Sequence, residues 1–437
     1  MNVRRVLIHG HVVPMVLILL AGCQLKGSSP KLTTPAKAPA PVRYTAANQG
    51  LPKSKIWKSQ IAFGDINADG LPDLGAVSRL ADGPWIWKND GAERWSEAAA
   101  GLPRETFCGG GMDFGDANND GHMDVALADH CRGVFVYFGD GRGNWTNASA
   151  GLPTVGSEDA TFGDFDKDGC LDVAAVAAAD EGVRAYKGNC KGVWKDASTG
   201  LASTEWGNSI VAADMNGDGN VDLVAAYSAG PRVWLGDGKG GWTEASEGLP
   251  APEIHGLYWG IAVGDVNGDG KLDIASGAAI PGAEVFIQEA GSKWRNASTG
   301  IIPLNALGVA LGDLDKDGHV DLVVAGKSNL EEIGGVYGVY PFFGDGTGNW
   351  RYVDNTGLPV DGRERTWGVN LADVDKDGVL DIGVAFGDVL SPTWRSGPGQ
   401  KTIQDKSNDK SKDGKKGGPD RGMFGAIDVW RGQLMGK

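Results

Sequence analysis

A chain of 437 residues can hold two or three average domains, or one large repeat assembly. Its 70 glycines and 20 prolines favour many short strands joined by tight turns and disfavour long helices. The formal net charge of −15 argues against direct binding to a phosphate backbone, which needs clustered Lys and Arg, so no nucleic-acid partner is expected.

The N-terminus reads as a targeting segment. Arg4 and Arg5 precede a short apolar run, Val12 to Leu20, too brief to span a bilayer. The run ends in Leu20-Ala21-Gly22-Cys23, which resembles the lipobox of bacterial lipoproteins. That resemblance implies a signal peptide over 1–22 and an acylated Cys23 as mature N-terminus; an ordinary secretory signal with an incidental cysteine is the alternative. Several acyl chains on one residue give firm membrane anchoring. Gln24, rather than Asp, follows the cysteine and, given a Gram-negative host, by the same analogy implies an outer-membrane location. Residues 23–42, rich in Pro, Ala, Ser and Lys, bury too little apolar surface to fold and are expected to be a tether.

From residue 43 onward one unit recurs. Each copy contains an Asp/Asn-rich loop, starting at Asp65, Asp116, Asp164, Asp214, Asp265, Asp313 and Asp373, with spacings of 51, 48, 50, 51, 48 and 60 residues. Four strands can be read in each unit. Strand A, such as Ile61-Ala62-Phe63, precedes the loop, and strand B, such as Val125-Ala126-Leu127, follows it. Strand C carries an aromatic, as in Val233-Trp234-Leu235, and an Asp-Gly turn such as Gly139-Asp140-Gly141 leads on. Strand D opens with Trp95, Trp145, Trp194, Trp242, Trp294 or Trp350, one per unit, as expected for an inter-unit core. Four antiparallel strands repeated radially predict an all-β, seven-bladed β-propeller over 43–437.

The chain ends predict closure. Ala426 to Gly432 matches strand C and stops without a strand D, while Arg43 to Pro52 aligns with Arg94 to Pro103. The N-terminal segment is therefore expected to complete blade seven. The pattern Phe63-Gly64-Asp65-x-Asn67-x-Asp69-Gly70-x-x-Asp73, seen again from Phe114 and Phe162, resembles FG-GAP or VCBS-type repeats, which occur in integrin α-subunit propellers and in many bacterial surface proteins.

Loop positions 1, 3, 5 and 9 are Asp or Asn in all seven repeats. They are Asp65, Asn67, Asp69 and Asp73; Asp116, Asn118, Asp120 and Asp124; Asp164, Asp166, Asp168 and Asp172; Asp214, Asn216, Asp218 and Asp222; Asp265, Asn267, Asp269 and Asp273; Asp313, Asp315, Asp317 and Asp321; and Asp373, Asp375, Asp377 and Asp381. Side chains two apart in a tight loop can converge, the glycine at position 6 permits the turn, and position 7 would add a backbone carbonyl. All-oxygen ligation by a flexible cage selects Ca²⁺, with up to seven structural ions expected. Simple turn chemistry is the competing explanation. The loop resembles the first half of an EF-hand, but it lacks the twelfth-position Glu, so a calmodulin-like switch is not expected.

Four cysteines remain beside Cys23. In an exported protein the blade scheme pairs Cys108 with Cys131 on one rim and Cys170 with Cys190 on the other; a thiol metal site is the alternative. The D-to-A and B-to-C loops vary most between units and gather Trp206, His255, Tyr258, Trp259, Arg365 and Trp367. These residues suit sugar rings or a protein hot spot, although the tryptophans nearest strand A also suit packing around the channel neck. Blade six has a longer B-to-C connection, Lys327 to Gly338, and blade seven a polar insertion, 388–424, expected to be a flexible loop. No catalytic constellation stands out. A non-enzymatic, surface-anchored module for a protein or glycan partner, acting in adhesion or an envelope complex, is the expected function. A polysaccharide lyase, using His255 with Arg363 or Arg365, is the alternative.

Overall fold

The computed structural model describes residues 40–435 apart from 59, 178–180, 202–203, 251–256, 329–335, 361–364 and 388–425. The expected signal peptide 1–22, Cys23, most of the tether, His255, Arg363 and the 388–424 insertion lie outside the described residues.

Seven four-stranded antiparallel sheets form a ring. In blade two, strands A to D are Met112–Gly115, Asp124–Asp129, Gly133–Gly139 and Trp145–Asn147. Strand A packs on strand A of the next blade all the way round, and that of blade seven, Thr366–Ala372, packs on that of blade one, Ala62–Gly64. Strand B is buried along its whole length in every blade, apart from the exposed Lys327 near the end of that of blade six, because neighbouring blades cover both of its faces. That is why it reads as an unbroken apolar run rather than an alternation.

Closure follows the sequence expectation. Val42–Ala46 pairs antiparallel with Ile427–Leu434, with Tyr44 opposite Gly432 and Ala46 opposite Trp430. Tyr44, 2% exposed, takes the position that tryptophan holds in the other blades. Each strand-D tryptophan binds the preceding blade: the indole N–H groups of Trp95, Trp145, Trp194, Trp242, Trp294 and Trp350 donate to the carbonyls of Ala47, Ala98, Ala148, Ala197, Ala245 and Ala297 at 2.7–3.2 Å. The bulky apolar ring fills the inter-blade core while its one polar atom stays satisfied.

The structure adds three details. Arg79–Asp82, in the B-to-C connection of blade one, pairs with Thr106–Cys108 to make a small extra ladder. Lys327 and Gly338 belong to the strands of blade six, where Lys327 pairs with Tyr337 and Gly326 with Gly338, so the connection is shorter than the sequence suggested. The C-to-D turns are wider than an Asp-Gly pair: Asp140 Oδ1 accepts the N–H of Arg142 and of Asn144, and Asn189, Asp237 and Asp345 repeat this. The short polar side chain replaces the missing backbone partners.

Candidate functional site

The Asp loops line one rim. In the first loop, Asp65 accepts the N–H groups of Asp69 and Gly70, Asn67 accepts from Asp69, and Asp69 accepts from Leu71. Ligand atoms at positions 1, 3 and 9 fall within 4.8 Å of one another in the three loops with Asp at position 3: Asp164, Asp166 and Asp172; Asp313, Asp315 and Asp321; and Asp373, Asp375 and Asp381. An oxygen-only cluster of this kind fits a hard divalent cation.

The ninth residue does more than the sequence reading assigned to it. In every loop one of its carboxylate oxygens accepts the N–H of position 2 and the other accepts an N–H from strand C, as Asp73 does from Ile66 and Asn89, or, in blade three, from the residue just after that strand. Asp124, Asp172, Asp222, Asp273, Asp321 and Asp381 repeat the arrangement. It therefore ties loop to blade as well as facing the cluster. Burial pushes these carboxyls up, to about 6 for Asp222 and Asp273, about 7 for Asp73, Asp124, Asp172 and Asp381, and about 8 for Asp321. The two N–H bonds oppose that rise and the neighbouring loop carboxylates add to it. A bound cation would reverse it.

Both expected disulfides are present. Cys108–Cys131 has a Cα–Cα distance of 5.7 Å and Cys170–Cys190 one of 5.2 Å. The first closes around Asp129, which accepts the N–H groups of Cys108 and Cys131, and so holds the loop bearing His130.

The opposite rim carries a depression of about 360 Å³ lined by Lys58, Arg79, His130, Trp206, Asn208, Ser228, Leu257, Trp259, Arg365 and Trp367. Lys58, Trp206, Leu257 and Arg365 come from D-to-A connections, and Arg79, His130 and Ser228 from B-to-C connections. Its floor is a ring at the neck of the channel, contributed by the residue six positions before each Asp loop: Gly110, Glu158, Asn208, Trp259, Leu307 and Trp367 in blades two to seven. In blades three to seven the ladder between strands A and B shifts register at this residue. Such a bulge bends the strand and re-aims a side chain, here at the mouth.

Four polar contacts organise the floor. Glu158, with a side chain 3% exposed, accepts from Lys58 Nζ at 2.9 Å and pairs with His130 Nδ1. Burial raises its carboxyl, but the Lys58 ammonium and His130 outweigh that and hold it below the usual range. Trp206 Nε1 donates to Asn208 Oδ1 at 3.1 Å, and Trp367 Nε1 donates to the Gly387 carbonyl at 2.7 Å. Lys58 Nζ sits over Trp259 and Trp367, 5.7 and 5.9 Å from their ring centroids, and the two indoles meet edge to face at 6.1 Å. Arg365 stacks on Trp367 at 5.0 Å, and the His130 ring lies 5.5 Å from Trp206.

Of the face residues picked from sequence, Trp206, Trp259, Arg365 and Trp367 come together here. Trp259 and Trp367 also form the neck, so packing and display are one arrangement. Tyr258 does not join them: it is 1% exposed in the inter-blade core, and its hydroxyl donates to Glu284 at 2.6 Å. Strand alternation turns it away from its neighbour Trp259. Lys58, Arg79, His130, Asn208 and Glu158 were not among the residues picked from sequence. Aligning the position six before each loop would have collected Glu158 and Asn208 with the two tryptophans.

A family model for the FG-GAP-like repeat matches residues 65–127, 116–175, 164–225, 214–276 and 313–384. No curated protein matches the chain. Among solved structures, the chain is similar to a lectin of Agrocybe aegerita reported for specific recognition of non-reducing terminal N-acetylglucosamine; the match has 16% identity and a TM-score of 0.42, and covers 71% of this chain and 84% of that one.

Proposed function

Because the chain belongs to the FG-GAP-like repeat family, we propose that it is a calcium-braced binding propeller, held at a bacterial envelope through Cys23, that takes a carbohydrate at the mouth opposite its Asp loops. One observation carries the reading. Trp206, Trp259 and Trp367 border a single depression of about 360 Å³ in which hydrogen-bonding groups sit beside the rings. Indole faces stack on the apolar faces of sugars, while nearby amide and charged groups select hydroxyls. Trp206, at 36% exposure, offers the most accessible ring.

Calcium has a bracing part in this proposal. The loops with Asp at position 3 bring three carboxylates together, and a divalent ion would relieve their repulsion without taking part in recognition.

Binding of the mature protein to immobilised glycans tests the proposal. Trp206→Ala should weaken it by about tenfold, the loss of roughly 1–2 kcal/mol expected of an aromatic contact. Capture of an envelope protein with no affinity for any glycan would contradict it.

One contact favours a second reading. His130 is oriented by a buried Glu158 and borders the depression, as a general base is commonly held. A lyase would release unsaturated products, so absorbance followed in the same samples separates cleavage from binding; the proposal expects no increase.

A further inference from the structure

The mouth differs in charge from the chain that bears it. Over a protein of formal charge −15, the lining of the depression includes Lys58, Arg79 and Arg365, and Glu158 in the floor beneath them is the one acid among the lining residues. Lys58 is neutralised from beneath by Glu158. Arg79 and Arg365 are not: among the described residues no carboxylate pairs with either. Arg365 Nε donates to the Tyr337 hydroxyl at 3.2 Å, and its guanidinium lies over Tyr337 and Trp367. Arg79 Nε is buried and has no hydrogen-bond partner.

An unsatisfied buried donor is costly, and more so when charged. Burial pulls Arg79 below its usual range; Glu158 works against that and the Arg365 guanidinium adds to it. Two guanidiniums border one concavity with no carboxylate among the described residues paired to either, a lining that suits an anion. Guanidinium presents paired donors that match planar carboxylate and sulfate oxygens.

We propose that the saccharide taken at the mouth carries an anionic substituent, a carboxylate or a sulfate ester, held by Arg79 and Arg365 while the ring stacks on the indoles. This rests on the reading of the mouth as a saccharide site. The three tryptophans favour a sugar over an acidic peptide, since a run of carboxylates alone gives the indole faces nothing to cover.

Isothermal titration of the calcium-loaded mature protein provides the test, with four probes of matched length. They are an oligogalacturonate bearing carboxylates only, a sulfated galactan bearing sulfates only, a neutral galactan and polyglutamate. One of the two charged saccharides should bind at least about tenfold more tightly than the neutral one, and its affinity should fall as NaCl is raised. Arg79→Gln and Arg365→Gln should each lower the affinity for the charged saccharide by about tenfold and so narrow its advantage over the neutral one, and Arg365→Lys should recover part of it. The salt dependence on the unmodified protein keeps the test decisive if a variant fails to fold. Equal affinity for charged and neutral saccharides, with loss on Trp206→Ala, overturns the anion and leaves the saccharide reading standing. Preference for polyglutamate, or no binding to any saccharide, overturns both.

Discussion

Gly151 adopts a φ of +96°, and a Cβ there would lie 2.2 Å from the carbonyl oxygen of Trp194 in the next blade. The same approach recurs at each inter-blade boundary, and at the closing one Gly357 faces the carbonyl of Tyr44. The glycine of each Gly-Leu-Pro segment or its variant is thus a contact residue between blades. Gly151→Ala should destabilise the protein by about 2–3 kcal/mol through left-handed strain and the clash, read as a lower urea midpoint at an unchanged slope. Asp159 is a second such case. It lines the channel fully buried and accepts from Ala160 N–H at 2.9 Å, Ser209 hydroxyl at 2.8 Å and Ile210 N–H at 3.0 Å, linking blade three to blade four. Burial outweighs these donors and raises its carboxyl to about 7. Between an unfolded pKa of about 4 and that value the folded chain holds the extra proton, so this group's contribution to stability falls as pH rises across the window. In saturating calcium, Asp159→Asn should therefore flatten the decline in unfolding free energy between pH 5 and pH 8 relative to the parent. An equal decline in both proteins would show that Asp159 does not titrate there.

At the scale of elements, strands and loops were legible in the sequence to different degrees. The Asp loops stood out because positions 1, 3, 5 and 9 are Asp or Asn and position 6 is Gly in all seven copies. The disulfides followed from rim assignment, since Cys108 and Cys131, and Cys170 and Cys190, each share one rim of one blade. The bulge before the loops of blades three to seven was hidden, because Glu158, Asn208, Trp259, Leu307 and Trp367 share a backbone irregularity and no chemical type. Glu158 meets His130 across 28 residues and Lys58 across 100, separations that no local pattern reports. The wide C-to-D turn was misread as an Asp-Gly pair because the side chain that closes it is the same aspartate. Removal of calcium bears on the loops directly. At an ion concentration about a hundredfold above the dissociation constant, each occupied site adds roughly 2.7 kcal/mol, so chelation should lower the melting temperature by roughly 10 °C or more. An unchanged melting temperature in EDTA would contradict the bracing role.

At the scale of the whole molecule, the number of blades and their closure were written in the repeat spacing and in the unmatched strand at each end. Pairing of Val42–Ala46 with Ile427–Leu434 makes the ring, and the ring brings Lys58, His130, Trp206, Trp259 and Arg365, from five blades, to one opening. The mouth therefore exists only in the closed assembly, which explains why single repeats gave no hint of it. Hydrogen exchange with and without a bound oligosaccharide tests this account most directly. It predicts slowed exchange in the segments around Lys58, Arg79, His130, Trp206 and Arg365, with the Asp loops unchanged; protection confined to the Asp-loop rim, or absent from the mouth, would contradict it.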